Sequence, residues 1–274
     1  MKKKIATALR IIVFLLLAVV ALLPFFVLLQ LSLNKPSMMV GKTIWRLPDF
    51  TFENISLAWT KSQLGRAMIN SVVITGFSVA GIVLFGSCAA YQIARFRSRV
   101  TRIFSNALIL SMAIPSIVST VPLYLLMRRL SAINTLWGMI LLNITYNLPF
   151  AVFLMSNFIR NINVSMEEAA IIDGCSCFSA FFRILLPLMK PIVTTVILLN
   201  SVSIWNEYGK SVFFLQKSKL FTVPLRISMF MQQYTASWEL MAAGALVGML
   251  PPVVIFFCFQ KYYVKGMTAG AVKG

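Results

Sequence analysis

Glu168-Ala169-Ala170-Ile171-Ile172-Asp173-Gly174, followed after nine intervening residues by Ile184-Leu185-Leu186-Pro187, lies in a polar gap between two apolar stretches. As a helix, it sets Ala170 and Gly174 four residues apart on one face with Ala169 beside them, which makes that face nearly flat. A flat face suits insertion into a groove on a partner, where Glu168 supplies a charge for a basic residue. Gly174 accepts the left-handed backbone that a turn needs. Ser165 with Glu168 three residues on reads as a capping box that starts the helix. Beyond the turn, Phe178, Phe181 and Phe182 are expected to bury a second helix against its surroundings, and Pro187 sets the entry into the next apolar stretch. The result is a helix, turn, helix lever. A bland reading stays open, in which Glu167, Glu168 and Asp173 are the solvated face of an ordinary loop.

The chain outside this loop belongs in a bilayer. With 59% hydrophobic and 12% charged residues among 274, and a mean hydropathy of +0.86, it has too little polar surface to cover a soluble globule. A span needs about 20 mostly apolar residues. Six stretches meet that need: Ile11 to Leu33, Ala67 to Ala94, Ile103 to Met127, Trp137 to Phe158, Leu188 to Trp205 and Ser237 to Gln260. The first has no small-residue cleavage site after it, so it reads as a retained helix and not a signal peptide.

An even number of spans returns both termini to one side. More than half of the 25 Lys and Arg fall in the presumed inner segments, including Lys2, Lys3, Lys4 and Arg10. The short cluster Arg95, Arg97, Arg99 and Arg102 between spans two and three carries most of the argument for cytoplasmic termini. In the first outer loop, Trp45, Pro48, Phe50, Phe52 and Trp59 read as an interfacial element. The outer segment from Glu207 to Ala236 reads as a structured surface loop or a re-entrant lip.

Catalysis finds no foothold. There is no histidine, only seven acidic residues are present, and no nucleophile has a base to pair with. Cys175 and Cys177 lack further ligands nearby, so small residues at a tight turn explain them better than a metal site. Pro115, Pro122, Pro149 and Pro191 punctuate spans three to five, among polar residues such as Thr145. Asn143, Asn147, Asn200, Ser203 and Asn206 are the candidate cargo-facing residues. Such groups face a wet pathway or cement helix to helix, and both readings remain open.

Position for position, the loop resembles the E-A-A-x3-G-x9-I-x-L-P pattern of membrane subunits of bacterial ATP-binding-cassette importers. The resemblance extends over almost the whole chain to the carbohydrate-uptake branch, in particular the smaller permease of maltose-type systems. It is carried by Asn70-Ser71, Ala90-Tyr91-Gln92-Ile93-Ala94-Arg95-Phe96, Pro122-Leu123-Tyr124, Asn134-Thr135, Trp205-Asn206-Glu207-Tyr208 and the tail from Gly266 to Gly274. Two features depart from the pattern. Asn161-Ile162-Asn163-Val164-Ser165 replaces the usual proline and acidic pair, and Cys175-Ser176-Cys177 replaces an alanine-rich turn.

The resemblance implies an all-α integral membrane protein with six transmembrane helices of the type I importer permease fold. Residues 1–66 would form an amino-terminal helix and first extracellular loop, 67–261 the permease core with its cytoplasmic coupling loop at 159–187, and 262–274 a cytoplasmic tail. It implies a multi-pass protein of the bacterial cytoplasmic membrane that pairs with a second, homologous permease. Two ATPase subunits, which hold ATP and Mg, would dock on the cytoplasmic loops, and an extracellular solute-binding protein would deliver a sugar. The chain would carry no cofactor or metal, bind no nucleic acid and catalyse nothing. Glu168, Ala169, Ala170, Asp173, Gly174, Ile184 and Pro187 would form the ATPase-coupling element. Gly266, Thr268, Gly270 and Lys273 would reach the ATPase interface as an extended segment.

The net charge of +18, with basic residues also in the outer segments, fits contact with anionic membrane lipids or an anionic cargo such as a uronate or phosphorylated sugar. Readings of a different class are a stand-alone secondary transporter and a scaffold without cargo. Against the former stand the scarcity of intramembrane carboxylates and the absence of visible inverted repeats.

Overall fold

The unbroken apolar run after Arg10 leaves helix as its one way to satisfy backbone groups in hydrocarbon, and α1 runs over Lys2–Leu33. The computed structural model describes residues 2–35, 50–60, 63–96, 98–233 and 237–271, and every regular element among them is helical. Trp45, Pro48 and Tyr234 lie outside the described residues. The chain forms two compact units that do not follow chain order: residues 1–68 with 223–250, and residues 69–222 with 251–274.

In the first unit, α1 and α2 (Glu53–Thr60) both pack on α12 (Trp238–Gly248), as does α11 (Val223–Gln233). Asn54 closes the end of α1, its Nδ2 donating to the carbonyls of Ser32 (3.2 Å) and Asn34 (2.6 Å). Those carbonyls would otherwise be orphaned at a helix end. Along Leu9–Leu33 the side chains from Leu9 to Phe26 are exposed, the outline of a helix that faces lipid or a partner.

In the second unit, α3 (Leu64–Arg95) packs against α6 (Leu136–Arg160), with Ser78 Oγ 3.5 Å from the Ile140 carbonyl. Gly81 permits this approach: a Cβ there would lie 2.5 Å from Ile144 Cδ1. Small residues at such crossings are the usual means of bringing membrane helices together. α6 also packs on α4 (Arg99–Met112) and on α9 (Lys190–Trp205).

One of the six expected spans is broken, and a second bend falls at the start of the fifth. The stretch Ile103 to Met127 is not one helix but α4 followed by α5 (Ser116–Arg129), bent by 109° where Pro115 precedes Ser116. Proline lacks an amide hydrogen and restricts the residue before it, so the helix cannot continue through Ile114-Pro115. Likewise α8 (Cys177–Leu188) meets α9 at 72° across Met189. Among the described residues, four helices are long and apolar enough to cross a membrane, or up to six with each bent pair counted as one span.

The remaining elements of this unit are α7 (Ser165–Ile172), α10 (Gly209–Phe214), a 3-10 turn at Ser218–Leu220, and α13 (Leu250–Ala271) from Pro251 onward. Hydrogen bonds tie its ends consistently. At one end, Asn70 Nδ2 donates to the carbonyls of Lys219 and Phe221, each at 3.0 Å, and Asn134 Oδ1 accepts from the amides of Gln216 (2.6 Å) and Lys217 (3.0 Å). At the other, Arg95 meets Glu167.

Candidate functional site

The loop folds as a helix, turn, helix, but its start differs from the sequence expectation. Val164 is the N-cap of α7 and no side chain caps it. Instead, Asn163 Oδ1 accepts from the Ser165 amide at 3.1 Å, a local turn of the kind Asn forms readily. The capping box of Ser165 and Glu168 is therefore absent. The turn closes as expected: Gly174 has φ +88°, the Cys175 amide donates to Ala170 (2.9 Å) and the Gly174 amide to Ile171 (3.0 Å). This double closure satisfies carbonyls at the end of the helix, and the αL position is one that glycine alone takes without strain.

Of the expected flat face, Ala169 and Gly174 are exposed and Ala170 is not. Ala170 is buried within the chain, and so is Glu167, three residues earlier on the same helix face. The exposed face carries Met166, Glu168, Ala169, Ile171, Ile172 and Asp173, with Ile172 85% exposed. Met166, Ile171 and Ile172 therefore add an apolar ridge beside the exposed Ala169 and Gly174.

Glu167 is held by Arg95, the last residue of α3. Its Oε1 accepts from Arg95 Nε (2.9 Å) and Nη2 (2.6 Å), while Nη2 also donates to the Ile162 carbonyl at 3.0 Å. The two side chains are only 10% and 6% exposed. Tyr91, one turn back on α3, packs its ring 5.1 Å from that of Phe181 and 5.7 Å from that of Phe96. Charge pair and aromatic cluster together fasten the loop to the end of α3.

In α8, Ser176 caps the first turn by accepting from the Ser179 amide, and Phe181–Leu185 is wound as a π-helix. Such widened turns often occur at functional positions. Phe181 and Leu185 are buried and Ile184 half-buried, but Phe178 is 74% exposed and Phe182 partly so, so the three phenylalanines do not bury together. Pro187 is exposed in the last turn of α8.

Of the cargo-path candidates, Ser203 and Asn206 are exposed and Asn147 is half-buried, while Asn143 and Asn200 are enclosed. Three of the asparagines donate Nδ2 back to their own helix: Asn147 to Asn143, Asn200 to Val196, Asn206 to Val202. Asn143 is 1% exposed, and neither of its amide atoms has a partner among the described residues. The tail is helical as far as Ala271, not extended, so Gly266, Thr268 and Gly270 lie on α13, and Lys273 falls outside the described residues.

The geometry also assembles residues that sequence patterning did not single out as a site. Glu207 accepts from the Lys210 amide at 2.7 Å and pairs with its ammonium. Lys210 Nζ lies 4.9 Å from the ring centroid of Tyr146, whose hydroxyl is 2.6 Å from Ser119 Oγ. For Glu167 a signal existed: it stands three residues before Ala170, on the face already marked by the alanine. For the Tyr146 cluster no periodic signal exists, because Ser119, Tyr146 and Lys210 sit on three different helices.

A bundle of broken and unbroken apolar helices with an ion-paired helix–turn–helix at one end defines a membrane permease component. The chain belongs to the family of binding-protein-dependent transport system inner membrane components, whose model matches residues 82–269. It is 40% identical over 268 residues to the melibiose/raffinose/stachyose import permease protein MelC of Bacillus subtilis, covering 96% of each chain. It is 31% identical to the arabinooligosaccharides transport system permease protein AraQ of the same organism, covering 95% and 94%. In fold it is similar to a chain of a bacterial transporter that imports the acidic polysaccharide alginate (TM-score 0.81, 21% identity, 96% and 98% covered).

Proposed function

We propose that this chain is a permease subunit of an ATP-driven, binding-protein-dependent importer of oligosaccharides in the bacterial cytoplasmic membrane, with both termini cytoplasmic. The observation that carries the coupling role is α7, closed at Gly174, ridged outward by Ile172 and bonded inward through Glu167 to Arg95. An ATPase subunit that grips this ridge moves the end of α3 with it. Glu168, exposed beside the ridge, supplies charge for a basic residue on the ATPase, and α13 reaches the same interface with Gly266, Thr268 and Gly270 on its last turns. The sugar class comes from the relatives, whose names specify melibiose, raffinose, stachyose and arabinooligosaccharides.

In this mechanism the chain makes half of a pathway with a second permease. Two ATPases bind ATP with Mg, close, and push both coupling loops, and the cavity turns outward to take sugar from the binding protein. This chain supplies shape and force transmission. In proteoliposomes holding all subunits, raffinose uptake is expected to require ATP and the binding protein. Uptake driven by an ion gradient without ATP overturns the reading in favour of a secondary transporter. Glu168→Lys is expected to abolish ATP-driven uptake with normal membrane insertion, and full uptake by that variant removes Glu168 from coupling.

A further inference from the structure

We propose that the elbow between α4 and α5, together with Tyr146 of α6, forms a subsite for an uncharged sugar unit of the cargo. This rests on the oligosaccharide reading above and assigns it residues of this chain.

The elbow holds a cavity of about 390 Å³ whose walls include Ser111, Ser119, Pro122, Thr145, Tyr146 and Pro149. That volume falls within the range of small-molecule sites, roughly 300–1,000 Å³. Its polar groups are three aliphatic hydroxyls and one phenol, and no charged side chain lines it. The hydroxyls of Ser111, Ser119 and Thr145 donate to the carbonyls of Leu108, Ser116 and Leu141, so they offer lone pairs to the hydroxyl hydrogens of a sugar, beside an aromatic ring that suits the apolar face of a pyranose. Two other hollows, of about 470 and 320 Å³, are walled mainly by Val79, Val83, Leu84, Leu186 and Val193, and offer a sugar almost nothing to bond.

The backbone supplies an independent argument. Residues 113–115 interrupt a stretch that would otherwise span, about 21 Å along α4 from its start at 1.5 Å per residue. If α4 enters from one membrane face, that length puts the break inside a hydrocarbon core of about 30 Å. Non-helical backbone at such depth is tolerated where it meets protein or lines a water-filled cavity, not where it faces lipid. The elbow therefore belongs on an aqueous pathway or against protein. Ser111, Met112 and Ile114 at the break all line the cavity, which places the interruption on its wall.

Charge selects the cargo. The Lys210 ammonium lies against the Tyr146 ring but is paired with Glu207, so the pair brings no net charge to the site. A carboxylate or phosphate placed here would lose water and gain no guanidinium or ammonium, a loss that disfavours a uronate. Tyr146 is positioned by its bond to Ser119 and by the ammonium against its ring, which hold it at the cavity edge.

The test uses the complete importer, with Cys88, Cys175, Cys177 and Cys258 replaced by serine and Thr145→Cys added. The reactivity of that cysteine toward a small charged methanethiosulfonate is followed with the binding protein present, empty or loaded with raffinose. The expected result is rapid labelling that slows at least about fivefold with raffinose and is unaffected by digalacturonate. Adding Tyr146→Ala is expected to abolish the protection while labelling persists, whereas Tyr146→Phe, which keeps the ring, retains it. No labelling places the elbow against lipid or protein and overturns the proposal. Labelling without protection, in a complex that transports raffinose, overturns the subsite and leaves the importer reading intact. Protection that survives Tyr146→Ala traces it to a conformational change and also overturns the subsite. Protection by digalacturonate alone overturns the neutral-sugar assignment. Failure of the parent complex to transport raffinose overturns the function proposed above, and this proposal with it.

Discussion

A carboxylate taken out of water at Glu167 is costly unless it is paired, and Arg95 pairs it with two hydrogen bonds from one guanidinium to Oε1 while its Nη2 also donates to the Ile162 carbonyl. Removing one partner leaves the other charge stranded, at a cost of about 3–5 kcal/mol, whereas replacing both with apolar residues is near neutral. Arg95→Ala and Glu167→Ala are each expected to lower the unfolding midpoint of the detergent-solubilised complex, and Arg95→Met with Glu167→Leu to restore much of it while uptake per ATP stays low. Additive losses in that double variant would show that the pair is not coupled. Gly174→Ala forces an L-residue into φ +88° at a cost of about 1–2 kcal/mol, so reduced uptake at unchanged membrane insertion is expected. The glycine was legible from sequence because its conformational demand is local. The ion pair was not, because Arg95 and Glu167 are 72 residues apart and only the fold brings them together.

Helix α6 organises the second unit, and its start depends on a tight contact. Thr135 Oγ1 accepts from the Gly138 amide at 3.1 Å and donates to the Ala132 carbonyl at 2.7 Å. A Cβ on Gly138 would sit 2.2 Å from that same carbonyl oxygen, which is backbone and cannot swing aside. Gly138→Ala is therefore expected to cost about 1–3 kcal/mol, seen as a lower Tm of the purified complex, and an unchanged Tm would mean that the loop at Ala132 yields. Elements of this kind were legible to different degrees. Spans one, two and four could be read from length and apolarity, since hydrophobic runs that exceed a bilayer's thickness have few alternatives. The break at Pro115 could not, because a proline within an apolar run is compatible with a mild kink or a full elbow, and packing decides between them, whereas the bend at Met189 falls beside the entry that Pro187 marked. The start of α7 passed to Asn163 because its side chain reaches the Ser165 amide directly, an option that composition alone does not rank against a capping box.

Across the second unit the hydrogen bonds sort into two ends of the helices. Asn70, Asn134, Gln216, Lys217 and Lys219 are joined at one end of α3, and Arg95 and Glu167 at the other, so the two sets belong to opposite faces of the membrane. In the orientation proposed above the second set lies in the cytoplasm, which agrees with the arginine cluster that follows α3. Gln216 is exposed, and so is the native Cys177 beside the loop turn. In right-side-out vesicles, Gln216→Cys is expected to react with a membrane-impermeant maleimide while Cys177 stays unmodified, and inverted vesicles are expected to reverse the pattern. Labelling of both positions from one side would break the two-ended arrangement, and labelling of Cys177 from outside alone would turn the whole chain over. In the second case the loop could not meet an ATP-driven partner, because ATP is confined to the cytoplasm, and the coupling proposal would fall with the orientation.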